Sequence, residues 1–93
     1  MKYRSRTDIV SQILKSAAAN GSGGITKSRI MYKAFLSYDQ LKEYLKMLVE
    51  SNLLSYDLDG QTFKTTEKGH KFLQTYNQME EAIRISSKNP NRI

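Results

Sequence analysis

Ile9, Val10, Ile13, Leu14 and Ala17 recur at the spacings of one helical face. They predict a helix over about 7–19, capped by Thr7 or Asp8 and ended by Asn20-Gly21-Ser22-Gly23-Gly24. Ile25 suggests a short strand, and the Thr26 hydroxyl can cap a second helix running to Ala34. Ile30, Met31 and Ala34 are its apolar positions, with Tyr32 a further candidate. Phe35 and Leu36 follow without a polar break, which predicts a tight turn with both side chains buried.

Ser37-Tyr38-Asp39-Gln40 reads as a capping box, with Leu36 and Leu41 placed as a hydrophobic staple. A third helix is predicted over 38–50, burying Leu41, Leu45, Leu48 and Val49, with Asn52 in a left-handed position just beyond it. Leu53–Asp57 and Thr62–Thr65 alternate as strands around the hairpin signal Asp59-Gly60. Thr66 can cap a fourth helix over 67–87. There Phe72, Tyr76, Met79 and Ile83 fall at spacings of 4, 3 and 4, a narrow seam whose register Gly69 and Ser86 continue. Residues 88–93 are expected to form a flexible tail.

The order is helix, strand, helix, turn, helix, hairpin, helix. It predicts a mostly α member of the α+β class: a helix-turn-helix with a wing in residues 1–66, then a long helix carrying a coiled-coil seam. Four stretches add a family likeness. Thr26-Lys27-Ser28-Arg29-Ile30-Met31-Tyr32-Lys33-Ala34, Leu36-Ser37-Tyr38, Tyr44-Leu45-Lys46-Met47-Leu48 and Thr66-Glu67-Lys68-Gly69 resemble the small archaeal winged-helix DNA-binding proteins, some of them chromatin-associated. The resemblance covers roughly residues 7–80. It implies double-stranded DNA as partner and a homodimer paired through an antiparallel coiled coil of C-terminal helices; the seam of Phe72, Tyr76, Met79 and Ile83 is then the interface, the alternative being a helix folded back over its own domain.

Composition sharpens this. The 93 residues carry 15 Lys and Arg against 9 Asp and Glu, a net charge of +6. Residues 1–46 hold nine basic and three acidic residues, and residues 47–93 hold six of each. All the excess therefore lies in the half containing the helix-turn-helix, as a face for a polyanion would require. Lys27, Arg29 and Lys33 on the second helix are candidates for the phosphate backbone, and Ser37 and Tyr38 for phosphate hydrogen bonds. Burying the leucines of the third helix turns Asp39, Lys42, Glu43, Lys46 and Met47 outward. Gln40, at the side, can pair with adenine, and Lys42 or Lys46 can reach guanine or phosphate. Lys64 is the basic residue of the wing, facing acidic Asp57 and Asp59. Asp39 and Glu43 can either accept from cytosine N4 or, each standing three residues before a lysine, form intrahelical pairs with Lys42 and Lys46.

Other chemistry is thinly represented. There is no cysteine and one histidine, His70, expected at the surface, so neither a metal site nor a catalytic nucleophile–base arrangement is expected. No cofactor or small-molecule ligand is implied. The glycine cluster echoes only the end of a phosphate-binding loop and reads as a connector. Tyr3, in the basic arm 1–6, is the best candidate for stacking on a base. The start lacks the apolar stretch of a signal peptide and no run approaches a membrane span, so a cytoplasmic, nucleoid-associated protein is expected. The alternatives are a winged-helix module that binds protein, or an RNA binder.

Overall fold

A computed structural model describes residues 4–88, with side chains described through Arg84. The elements are α1 (Arg6–Ala19), β1 (Ile25–Thr26), α2 (Lys27–Ala34), α3 (Tyr38–Glu50), β2 (Leu54–Asp57), β3 (Thr62–Thr65) and α4 (Glu67–Lys88). The strands form one antiparallel sheet in the order β1-β3-β2, with Ile25 opposite Phe63 and Tyr56 opposite Phe63 on the other side. Winged helix-turn-helix architecture is thus present in full: α2 and α3 are the motif, and the β2–β3 hairpin is the wing.

The core follows the apolar pattern. Ile13, Leu14 and Ala17 of α1 meet Ile30 and Ala34 of α2 and Leu41, Leu45 and Leu48 of α3, and Ile25, Leu54 and Phe63 bring the sheet onto the same cluster. The Thr65 hydroxyl donates to the Leu14 carbonyl at 2.7 Å, fixing the sheet to α1.

Local chemistry sets the ends. Ser5, rather than Thr7 or Asp8, caps α1. Its hydroxyl accepts from the Asp8 N–H at 3.0 Å and the Asp8 carboxylate accepts from the Ser5 N–H at 3.3 Å, so the helix starts at Arg6. Ser37 and Gln40 form the expected box at the start of α3. Thr26 caps α2. Asn52 is left-handed at φ 65°. In the hairpin the left-handed residue is Gln61 rather than Gly60, and the Asp57 carboxylate accepts the Asp59 N–H at 3.2 Å, holding the turn.

The turn between α2 and α3 departs from expectation. Leu36 is buried, but Phe35 is 83% exposed. Phe35 terminates α2 in the left-handed region at φ 55°, which swings its side chain off the buried face carrying Ile30 and Ala34. The Arg4 guanidinium closes this helix end, donating to the Ala34 carbonyl at 2.7 Å and the Phe35 carbonyl at 3.2 Å.

Thr66-Glu67-Lys68-Gly69 forms the joint between α4 and the body. The Thr66 hydroxyl accepts from the Gly69 N–H at 3.0 Å and donates to the Asn52 carbonyl at 2.6 Å. Lys68 donates to the Ser51 carbonyl at the end of α3, at 2.8 Å. Gly69 is buried here rather than lying on an exposed seam: a Cβ would strike the Leu53 carbonyl and come within 2.7 Å of the Thr65 methyl.

The upper part of α4 packs on its own chain. Leu73 is buried, Phe72 is half-buried, and the Tyr76 hydroxyl donates to the Asp8 carboxylate. Met79 and Ile83, further along, are exposed. The Ser86 side chain, Tyr3 and the tail beyond Lys88 lie outside the described residues; Lys88 itself is the last residue of α4.

Candidate nucleic-acid interface

Helix α3 is held from behind by Leu41, Leu45 and Leu48, so Asp39, Gln40, Lys42, Glu43 and Lys46 all face solvent. Met47 does not join them; it is half-buried against the core. Ser37 and Tyr38 open the same face, and Lys27, Arg29 and Lys33 stand exposed on α2. Lys64 is separated from these. It is half-buried on β3, opposite Ser55, with its stem near Gly24.

Tyr38 organises the charge between the two helices. The Lys27 ammonium from α2 lies 5.5 Å from its ring centre and that of Lys42 from α3 lies 5.3 Å away. Two cations are thereby gathered at the N-terminus of α3, where backbone N–H groups also favour an anion. The expected pairs Asp39–Lys42 and Glu43–Lys46 do not form. Among the described residues the one ion pair is Arg84–Glu81, at 3.1 Å on α4. Lys42 turns to the aromatic ring instead, and Asp39 and Glu43 stay as solvated carboxylates on the reading face.

Gln40 is engaged. Its amide oxygen accepts from the Ser37 N–H at 3.1 Å and from the Ser37 hydroxyl at 3.2 Å. Pairing with both adenine edge groups would require the capping box to open, because the amide oxygen must face the base. The two wing-tip carboxylates differ in role. Asp57 holds the turn, while Asp59 is exposed beside Leu58, an apolar residue at the wing tip that is 76% exposed.

The protein surface between α3 and the hairpin is concave. One cleft of about 430 Å³ is walled by Leu45 and Val49 on one side and Tyr56 and Phe63 on the other, with Lys27, Lys42 and Lys46 around it and Glu50 at its margin. A second, of about 630 Å³, runs from Thr26 and Ser28 past Tyr38 to Gly60 and Gln61, and shares Lys27, Tyr56 and Phe63 with the first.

Sequence reasoning missed three features of this half of the molecule. Arg4 is a structural cation clamping the end of α2, a role set by a partner 30 residues away. Tyr32 and Phe35 are exposed aromatic residues, 82% and 83% respectively, within the motif itself. The cleft arises from the distance between α3 and the wing, which no local pattern encodes. His70 is exposed as expected. Among the described residues no group of three or more His, Cys, Asp or Glu side chains is placed to hold a metal ion, and no helix is long and apolar enough to cross a membrane.

These features define a winged helix-turn-helix protein, and a sequence model described as winged helix-turn-helix matches residues 3–84. The chain belongs to that family, which bears out the winged-helix resemblance. Among solved structures it is similar to that of Sso10a-2, a DNA-binding protein from Sulfolobus solfataricus, at 19% identity and a TM-score of 0.71. The match covers 96% of this chain and 95% of that one, so α4 belongs to the shared architecture. No curated protein matches the chain.

Proposed function

We propose that this chain binds double-stranded DNA through α2 and α3 and acts as a transcription regulator or chromatin-organising protein, without enzymatic activity. The observation that carries the reading is the cationic face built on one motif. Lys27, Arg29, Lys33, Lys42 and Lys46 all stand exposed on the two helices, while the opposite face of α3 is buried. A helix presented this way fits the major groove, and the first helix of the motif supplies backbone contacts. The similar Sulfolobus protein is itself described as DNA-binding. In this reading residues 1–66 form the DNA-binding unit and 67–87 a dimerisation helix. Exposed Met79 and Ile83 are the residues a second copy would cover, and the location is the cytoplasmic nucleoid. Ser37 and Tyr38 contact phosphate, Gln40 reads a base edge after releasing Ser37, and Lys64 makes a weaker contact from the wing.

Duplex titrations at two salt concentrations test the reading. Arg29→Ala and Lys46→Ala should each weaken binding and reduce the salt slope by about one counterion per lost contact. Lys71→Ala, on α4, should do neither. Equal effects from all three would mean diffuse charge attraction with no docked helix. Selection from a random duplex pool separates the two roles: a recovered motif indicates a regulator, in which Gln40→Ala should cost about 1–3 kcal/mol at one position. No motif indicates an architectural protein.

A further inference from the structure

We propose that the cleft between α3 and the wing takes an unpaired base of single-stranded DNA. The inference rests on the nucleic-acid reading of this face, and goes beyond it in the form of DNA that is taken. The cleft does not match the surface of a duplex. Its walls are apolar and aromatic: Leu45 and Val49 from α3, Tyr56 and Phe63 from the hairpin. A duplex turns phosphates and base edges outward and keeps the flat faces of its bases stacked inside. It has little to place against such walls. An unpaired nucleotide has both a flat apolar face and a phosphate, and needs an aromatic surface next to a cation.

The cleft supplies that combination. Tyr56 is 43% exposed, and its ring lies 4.7 Å from that of Phe63, centre to centre, tilted by 46°. Phe63 is buried, so it backs Tyr56 and fixes the ring a base would stack on. Lys27, Lys42 and Lys46 surround the opening against the single carboxylate of Glu50. The second cleft continues the first through Lys27, Tyr56 and Phe63 and carries Tyr38 on its wall, with two ammonium groups already over that ring. A strand lying along both meets the exposed Tyr56 ring with several cations beside it, the combination that binds single strands with little regard to sequence. At about 430 Å³ the first cleft is of the size that holds small ligands.

The test uses the full chain and four labelled probes of equal length, about ten nucleotides: a thymidine strand, an abasic strand, a uridine RNA strand and a blunt DNA duplex. The thymidine strand should bind roughly tenfold or more tightly than the abasic one, which carries the same phosphates. Tyr56→Leu should abolish that difference while leaving duplex affinity within about twofold, since Tyr56 is not among the proposed duplex contacts. Intrinsic tyrosine emission of the unmutated chain, which has no tryptophan, should be quenched by the thymidine strand and not by the abasic strand. This second reading stands even if Tyr56→Leu fails to fold. Equal affinity for thymidine and abasic strands, or no quenching, overturns the proposal, and tighter binding of RNA overturns the assignment to DNA. Duplex binding that persists through those failures leaves the duplex reading standing. Single-strand binding that succeeds where the duplex does not bind overturns the duplex reading alone.

Discussion

The Tyr76 phenol on α4 donates its proton to the carboxylate of Asp8 in the first turn of α1, joining residues 68 positions apart. The same carboxylate caps α1 by accepting the Ser5 N–H, so one acidic side chain serves two helices. The Tyr76 bond, followed by the Ser5 N–H, holds Asp8 below the usual carboxylate range, and Asp8 in turn holds the Tyr76 phenol above its ordinary value. Lys15 completes the cluster, 5.7 Å from the centre of the Tyr76 ring.

Stability should respond to pH at both extremes because of this pair. Asp8 has a lowered folded value, so its contribution is present above the unfolded carboxylate range and is lost as pH falls through the folded value. Tyr76 has a raised folded value, so its contribution is complete below about pH 10 and is lost as pH rises through the folded value. Tyr76→Phe should lower the thermal midpoint near neutrality. It should also remove the tyrosine's alkaline loss and shrink the acid loss, which the Ser5 contact sustains in part. Identical midpoint–pH curves for the two proteins would count against the bond.

Gly69→Ala sets two effects against each other. Alanine favours a helix over glycine by about 0.8–1.0 kcal/mol. The new methyl, however, meets the Leu53 backbone carbonyl, which cannot rotate aside, and overpacking of this kind costs about 1–3 kcal/mol. Urea unfolding should therefore show a net loss of stability. A gain would mean that the root of α4 packs less closely than described.

Phe35→Gly should leave stability unchanged or raise it by up to about 1.5 kcal/mol. Relief of the left-handed backbone is worth about 1–2 kcal/mol, and the added chain entropy of glycine offsets about 0.5–1 of it. Little burial is lost, because the ring is exposed. A buried phenylalanine would instead cost about 3–5 kcal/mol on truncation, so equilibrium unfolding distinguishes the two cases.

Met79→Asp combined with Ile83→Asp should convert a dimer to a monomer with the body still folded. The body holds α4 through Leu73 and Tyr76, whereas Ile83 lies about 16 Å beyond Phe72 along the axis, where it is exposed. Covering each such side chain contributes about 1.5–3 kcal/mol. Sedimentation should report a dimer for the unmutated chain at micromolar concentration; a monomer there would remove the basis for the interface.

Features set by neighbouring residues were legible in the sequence. The Ser37–Gln40 box, the Thr26 and Thr66 caps, left-handed Asn52 and the spacing of the core leucines are decided within a few positions, and the structure has them all. Two local features were not legible, and neither were those set by distance. The Ser5 cap was obscured because Thr7 and Asp8 stand closer to the first apolar residue. Phe35 looked buried because hydropathy says nothing about the left-handed backbone that turns it outward. At the candidate site the exposed face of α3 followed from periodicity. The hold of Lys27 and Lys42 on Tyr38, and the cleft beside them, depend on how α2, α3 and the wing are stacked.

The joint at Thr66, Lys68 and Gly69 makes α4 a rigid lever. No slack residue separates it from the body: Thr66 alone lies between β3 and the helix, and its hydroxyl is bonded to Asn52 while Lys68 grips Ser51. Both anchor points lie just past the last turn of α3. A torque applied to the outer turns of α4 therefore reaches the base of α3 without a hinge to absorb it. A partner that gripped the far end of the long helix would thus act on the residues that close α3.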